Sequence, residues 1–229
     1  FRSAPPPLRP MGFFDLFTQQ QPALVTESLR HMDAMLAATA QMFEAAAGHV
    51  LDGTPLTDLD AADQAVNERE RQVQRAVLSH LALSSEAEVP LSLTIASVVQ
   101  DAERTGDLAK SLAKVADLTD VPLAGPHAET LRGISADVQA LFGPVRTAFA
   151  DSDQDAAEAA MQAAAEIRQR VEAFVTALAK ADDVQVADAL ALGIAARLHF
   201  RTAAHLAAIA SAVVRPFDRL REGPDGDDE

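Results

Sequence analysis

SVVQDAERTGDLAKSLA, residues 97–113, sets Glu103, Arg104, Gly106 and Asp107 inside a run of apolar residues at helical spacing. Glu103 and Asp107 are four apart, so on a helix their carboxylates lie one above the other on the same face. Like charges at that spacing are mildly unfavourable, and a glycine in a helix interior costs roughly 1 kcal/mol against alanine. A strong helical pattern that accepts both features points to a function, and oxygen ligands for a metal ion are the leading one.

The same periodicity extends outward. Ile95, Val98, Ala102, Ala109, Leu112 and Val115 line one side of a helix from about residue 90 to 118. Before it, Val66, Val73, Val77 and Leu81 mark a helix from about 60 to 83. Leu24, Leu29, Met32, Leu36, Met42, Phe43 and Val50 mark one from about 22 to 51. Pro90 suits the first turn of the third helix. After TDVPLAGP come a fourth helix over about 127–150, with a bend expected at Gly143-Pro144, and a fifth reaching about Lys180. The sixth reaches about Leu220, past Pro216. Asp151 or Ser152 is expected to cap the fifth helix, and Asp182 or Asp183 the sixth. No segment alternates as a strand. The expected fold is all-α, a tandem duplication of a three-helix bundle: a flexible segment 1–21, repeat 1 over 22–118, a linker 119–126, repeat 2 over 127–221 and a disordered acidic tail 222–229.

Composition agrees. The 229 residues are 48% hydrophobic, much of it alanine, with neither Tyr nor Trp. That favours closely packed helices over a β-sandwich. A net charge of −15 repels nucleic acid. The absence of cysteine excludes disulfides, zinc-thiolate sites and thiol catalysis, and agrees with a cytoplasmic protein. FRSAPPPLRP lacks the apolar core of a signal peptide, and Met11 could begin the natural chain. GFFDLF (12–17) is read as a plug packed on the bundle, with contact to a membrane or another subunit as the alternative. The apolar stretch Val184–Phe217 contains Arg197, His199, Arg201, His205 and Arg215, too many ionisable groups for a membrane span.

The second helix supplies a counterpart to Glu103 and Asp107. Asp63 and Asn67 are four apart, with Glu70 three further on, all on one side. Antiparallel packing of helices two and three would let Asp63 and Asn67 approach Glu103 and Asp107. Three carboxylates and an amide suit Mg²⁺, Mn²⁺, Ca²⁺ or iron. The same spacing also fits a solvated acidic face.

LDAADQAVNERERQVQRAVLSHLAL (59–83) and QDAERTGDLAKSLAKVADL (100–118) resemble one repeat of the PhoU family of phosphate-signalling regulators. The first is similar to that family's Asp-x-x-x-Asp/Asn helix. The second is similar to its hallmark Leu-Glu-Arg-Ile-Gly-Asp-His-Ala helix, matched at Glu103, Arg104, Gly106, Asp107 and Ala109. Ala102, Thr105 and Leu108 depart from it. The resemblance implies duplicated three-helix bundles with a multinuclear metal cluster in each repeat. Carried over by position, the ligands in repeat 1 are Asp63, Asn67, Glu103 and Asp107, with Glu70 a weaker member. Iron, manganese, magnesium and zinc are the candidate ions, and no organic cofactor is implied.

Repeat 2 departs from the pattern. AARLHFRTAAHLAAIA (195–210) aligns with the hallmark, yet Phe200 stands at the Glu position and Ala204 at the Asp position. AAAEIRQRVEAFV (163–175) aligns with the other helix, with Ala164 and Arg168 in place of its two acidic ligands. An alkyl group cannot coordinate and Arg168 is cationic, so repeat 2 is expected to bind no metal. The acidic-Leu-Arg turn of the family is not evident around EAEVP (86–90).

Other polar residues read as structural. His199 and His205, six apart, fall on different faces. Glu27 and His31 form an ordinary one-turn pair, and Met32, Met35 and Met42 belong to the core. Arg and Lys are scattered along the sequence, without a phosphate-binding cluster. There is no P-loop, dinucleotide fingerprint or Ser-His-Asp pattern. The resemblance implies a cytoplasmic, non-enzymatic regulator or accessory of phosphate transport or phosphate-starvation signalling. Its implied partners are a phosphate transporter subunit or a sensor kinase at the inner membrane face, with homodimerisation expected. A helical adaptor without metal is the alternative. A metal-dependent hydrolase is a weaker one, lacking an evident general base.

Overall fold

In the computed structural model, six long α-helices build the molecule: α1 (Ala23–Asp52), α2 (Leu59–Leu83), α3 (Val89–Ala113), α4 (Pro126–Asp151), α5 (Gln154–Leu178) and α6 (Val186–Val214). The structure describes residues 23–215 except 57, 84–88 and 120–121. The readings of residues 1–21, of GFFDLF, of the EAEVP turn, of the sixth helix beyond Pro216 and of the acidic tail lie outside the described residues. Among those described there is no strand, and no helix is long and apolar enough to cross a membrane.

Several helix ends differ from expectation. The third helix gives way at Lys114 to a 3-10 turn, Lys114–Leu118. α4 spans Pro126–Asp151, close to expectation, with Gly143 and Pro144 inside it. α5 is capped by Asp153, whose carboxylate accepts from the Ala156 amide at 3.0 Å, and not by Asp151 or Ser152. Asp151 ends α4, and Ser152 takes a left-handed φ of 59° as that helix's C-cap. With Ser152 used to leave one helix, the next acidic residue starts the other. Gln185, in extended conformation, precedes α6 in place of Asp182 or Asp183 and makes no side-chain cap.

Each half packs three helices together, α1 with α2 and α3, and α4 with α5 and α6. The halves join through α3 against α6 and α1 against α4, leaving α2 and α5 flanking this central set. One continuous apolar core results, containing Met32, Met35, Leu36, Phe43, Val98 and Leu112 from one half and Leu131, Phe142, Leu192 and Leu206 from the other. Complete burial of such side chains stabilises by about 1.5–3 kcal/mol each, so this shared core holds the two halves together. Alanines at Ala191, Ala195, Ala196, Ala203 and Ala210, all buried, let α6 approach its neighbours closely.

Polar ties cross between the halves. Arg132 on α4 donates to Asp52 at 2.9 Å and to the Leu51 carbonyl at 2.5 Å, satisfying an orphan carbonyl at the end of α1. Arg146 on α4 donates to Asp33 on α1 at 2.9 Å. His205 on α6 meets Asp101 on α3 at 2.9 Å.

Candidate functional site

The acidic face lies where α2 packs on α3. Asp63 faces Lys110, and Glu70 lies close enough to Glu103 to act on its charge, which is the register of an antiparallel pair. The face divides into two ends.

At one end, the buried Asp63 carboxylate is already engaged. Lys110 Nζ donates to Asp63 Oδ2 at 2.8 Å, and Asn67 Nδ2 donates to the same oxygen at 3.1 Å. The Lys110 ammonium also lies 3.9 Å from Asp60. The hydrogen bond to Asp63 pushes the Lys110 ammonium above its ordinary value. A lysine here puts a tethered positive charge where a metal ligand would need an open lone pair. Asn67 Oδ1, by contrast, is buried with no hydrogen-bond partner.

At the other end, Glu103 and Asp107 are in direct contact. Burial, together with the Asp107 and Glu70 carboxylates beside it, pushes Glu103 up to about 7. When protonated, its carboxyl donates to Asp107. Arg104 Nη1 donates to Asp107 Oδ2 at 3.3 Å, and Arg104 Nε lies 3.8 Å from Glu103 Oε2. Burial also raises Glu70, which accepts from Gln74 at 2.8 Å. Carboxylates held together at such a cost would gain from a cation, and the orphaned Asn67 oxygen is a further donor of the right kind. Among the described residues, though, no three His, Asp or Glu side chains are grouped tightly enough to hold an ion as they stand. Of the expected set, Glu103 and Asp107 are the carboxylates not taken up by a lysine, with Glu70 close by. Asp63 would join only if Lys110 let go.

Gly106 has a packing role. A Cβ there would lie 3.3 Å from Thr39 Cγ2 and 3.7 Å from Met42 Cε, so the glycine lets α3 lie close against α1. Hallmark residues one turn apart thus serve two neighbours, α1 through Gly106 and α2 through Glu103.

In the second half, Ala164 is buried, and the Arg168 guanidinium lies 5.8 Å from the centre of the Phe200 ring. Arg197 lies 4.7 Å from the same ring, and Arg168 donates to Glu172 at 3.1 Å. Ala204 offers no donor atom. Cation–π stacking stands here in place of an acidic pair.

The other readings find definite places. His199 is fully buried, held down to about 4 by that burial, and donates from Nδ1 to the Ala195 carbonyl at 2.6 Å. Its ring meets Phe43 edge-on at 5.2 Å. His31 pairs with Glu27 at 3.6 Å. Met32, Met35 and Met42 are core. Basic residues that are scattered in the sequence come together in the fold. Arg104, Lys110 and Lys114 meet Arg201 around one groove. Three of them are spread along a single helix and its continuing turn, and the fourth arrives from α6. Local density along the sequence could not reveal them.

Residues 35–116 match the family model of the PhoU domain. That segment is similar to a PhoU domain. The matched span runs from within α1 to the turn after α3 and includes the whole acidic face. The fold extends the likeness across both halves. The crystal structure of PhoU from Pseudomonas aeruginosa superposes with a TM-score of 0.75 at 22% identity, covering 84% of this chain and 96% of that one. That of the phosphate transport system regulatory protein PhoU from Streptococcus pneumoniae gives 0.60 at 19% identity, covering 90% and 93%. No curated protein matches the chain. The acidic face belongs to the half that the family model covers.

Proposed function

We propose that this chain is a regulatory or accessory protein of phosphate transport or phosphate-starvation signalling, acting by protein–protein contact rather than by catalysis. The observation that carries this reading is the PhoU-domain match over residues 35–116, the segment that contains Glu103 and Asp107. The PhoU-like fold spanning both halves supports it. Its partner is a phosphate transporter subunit or a sensor kinase, met at the cytoplasmic face of the membrane, and the chain acts as a homodimer. An apolar row supports a role in contact: Val186, Leu190 and Ile194 are exposed one turn apart along α6.

A divalent or multinuclear metal belongs to this reading, in the first repeat only. Glu103 and Asp107 would hold it, with Asn67 and Glu70 completing the oxygen set. Bound there, the ion would neutralise the crowded carboxylates and fix α2 against α3. The second repeat, with Arg168, Phe200, Ala164 and Ala204, has no such set.

Affinity capture from phosphate-replete and phosphate-starved cells tests the regulatory reading. A transporter or kinase component should be recovered in at least one condition, and its absence from both would remove this reading. Metal analysis of the wild type beside Glu103→Ala/Asp107→Ala tests the ion. Equal, near-zero metal in both would leave a metal-free adaptor.

A further inference from the structure

The groove between α3 and α6 concentrates positive charge on a chain whose net charge is −15. Arg104, Lys110 and Ser111 line it from α3, Lys114 from the turn that continues α3, and Arg201 from α6. Asp107 and Leu108 complete the wall around about 340 Å³. Two of these cations are occupied elsewhere, Arg104 with Asp107 and Glu103, and Lys110 with Asp63 and Asp60. No hydrogen bond or ion pair among the described residues engages Lys114 or Arg201. Two uncompensated cations brought from separate helices to one concave wall repel each other, and an anion between them reverses the sign of that interaction.

We propose that this groove binds inorganic phosphate. A guanidinium matches two oxygens of a tetrahedral oxyanion at once, and a lysine adds a compact charge beside it. Arg201 and Lys114 fill these roles. Ser111 already donates its hydroxyl proton to the Asp107 carbonyl at 2.9 Å, which leaves its lone pairs to accept. The Asp107 carboxylate, on the same wall, can only accept. Phosphate near neutral pH still carries a proton to donate to these acceptors. Sulfate carries none and meets a like charge. The groove therefore selects phosphate over sulfate, although both are tetrahedral. This inference stands on the groove alone, so the regulatory reading survives its failure, and the capture experiment does not bear on it.

The test is calorimetric titration of the full-length protein, stripped of metal by chelation and then dialysed free of chelator, with inorganic phosphate and separately with sulfate. Saturable binding of one phosphate is expected, with sulfate clearly weaker. Arg201→Gln and Lys114→Gln should each weaken phosphate binding by about tenfold, the scale of one lost charge-assisted hydrogen bond. Asp107→Asn should narrow the gap between the two anions. Circular dichroism checks that the variants, all at the surface of the groove, remain folded. No saturable phosphate binding by the wild type, undiminished binding by Arg201→Gln/Lys114→Gln, or equal affinity for sulfate would each overturn the proposal.

Discussion

His205 Nδ1 lies 2.9 Å from Asp101 Oδ1, so a side chain of the second half is hydrogen-bonded to a buried carboxylate of the first. The pair bridges α6 and α3, the seam through which the two repeats share their core. His205→Ala removes one hydrogen bond to a charged acceptor and should destabilise the fold by about 1.5–3 kcal/mol. Urea denaturation would show this as a lower midpoint at unchanged slope. An unchanged midpoint would mean that the seam rests on apolar packing alone.

Gly106 separates packing from ligation. Gly106→Val should cost about 2–3 kcal/mol, because a branched side chain must displace Thr39 and Met42 in a filled core. The loss should be the same with and without added metal. A variant restored to wild-type stability by metal would place Gly106 in the ion's own chemistry.

Two groups, the partly buried Glu103 and the buried His199, oppose each other in their response to pH. Glu103 sits at about 7 in the fold against an ordinary 4.5, so between these values the folded protein keeps a proton that the unfolded chain releases. The stability tied to that proton is present at low pH and is lost as pH rises toward 7. His199 sits at about 4 against 6.5, so the unfolded chain takes up a proton that the fold refuses, and stability is lost as pH falls from 6.5 toward 4. Thermal melts of metal-free protein should therefore change little between pH 4.5 and 6.5. In Glu103→Gln the His199 effect is no longer offset by Glu103, and stability should climb with pH across that window. Parallel curves for the two proteins would refute the assignment to Glu103.

Lys110 competes with any metal for the Asp63 oxygen. Lys110→Met keeps the aliphatic stem but frees the carboxylate, and should tighten divalent metal binding by about tenfold or more. Direct titration with Mn²⁺, followed by paramagnetic relaxation of water, would measure the change. Weaker binding in the variant would show that the ammonium supports the site.

Much of the fold was legible because helical periodicity and Pro/Gly punctuation are properties of neighbouring residues. Val66, Val73 and Val77 announced α2, and TDVPLAGP the break between halves. The caps were harder. Asp151, Ser152 and Asp153 are chemically alike, and only the exit of α4 through Ser152 decides that Asp153 starts α5. The acidic face was legible as two pairs of residues, since four-residue spacing fixes a helix face. Its division was not. Lys110 reaches across to another helix, and nothing in AKSLAKVADL says which carboxylate it will meet. The basic groove was hidden for the same reason, since Arg201 lies far from Lys114 in sequence and meets it only through the α3–α6 seam.

The Lys110–Asp63 contact has a bearing on how such a protein copes with scarcity. An ammonium built into the chain cannot be leached by a chelator, diluted by growth or exchanged for the wrong ion. That half of the acidic face is balanced from the moment α2 docks on α3. On the proposed reading, only the Glu103 end would draw its counter-charge from outside the chain. Metal starvation would then slacken one end of a single helix pair, leaving the six-helix body intact to keep its appointments with other proteins.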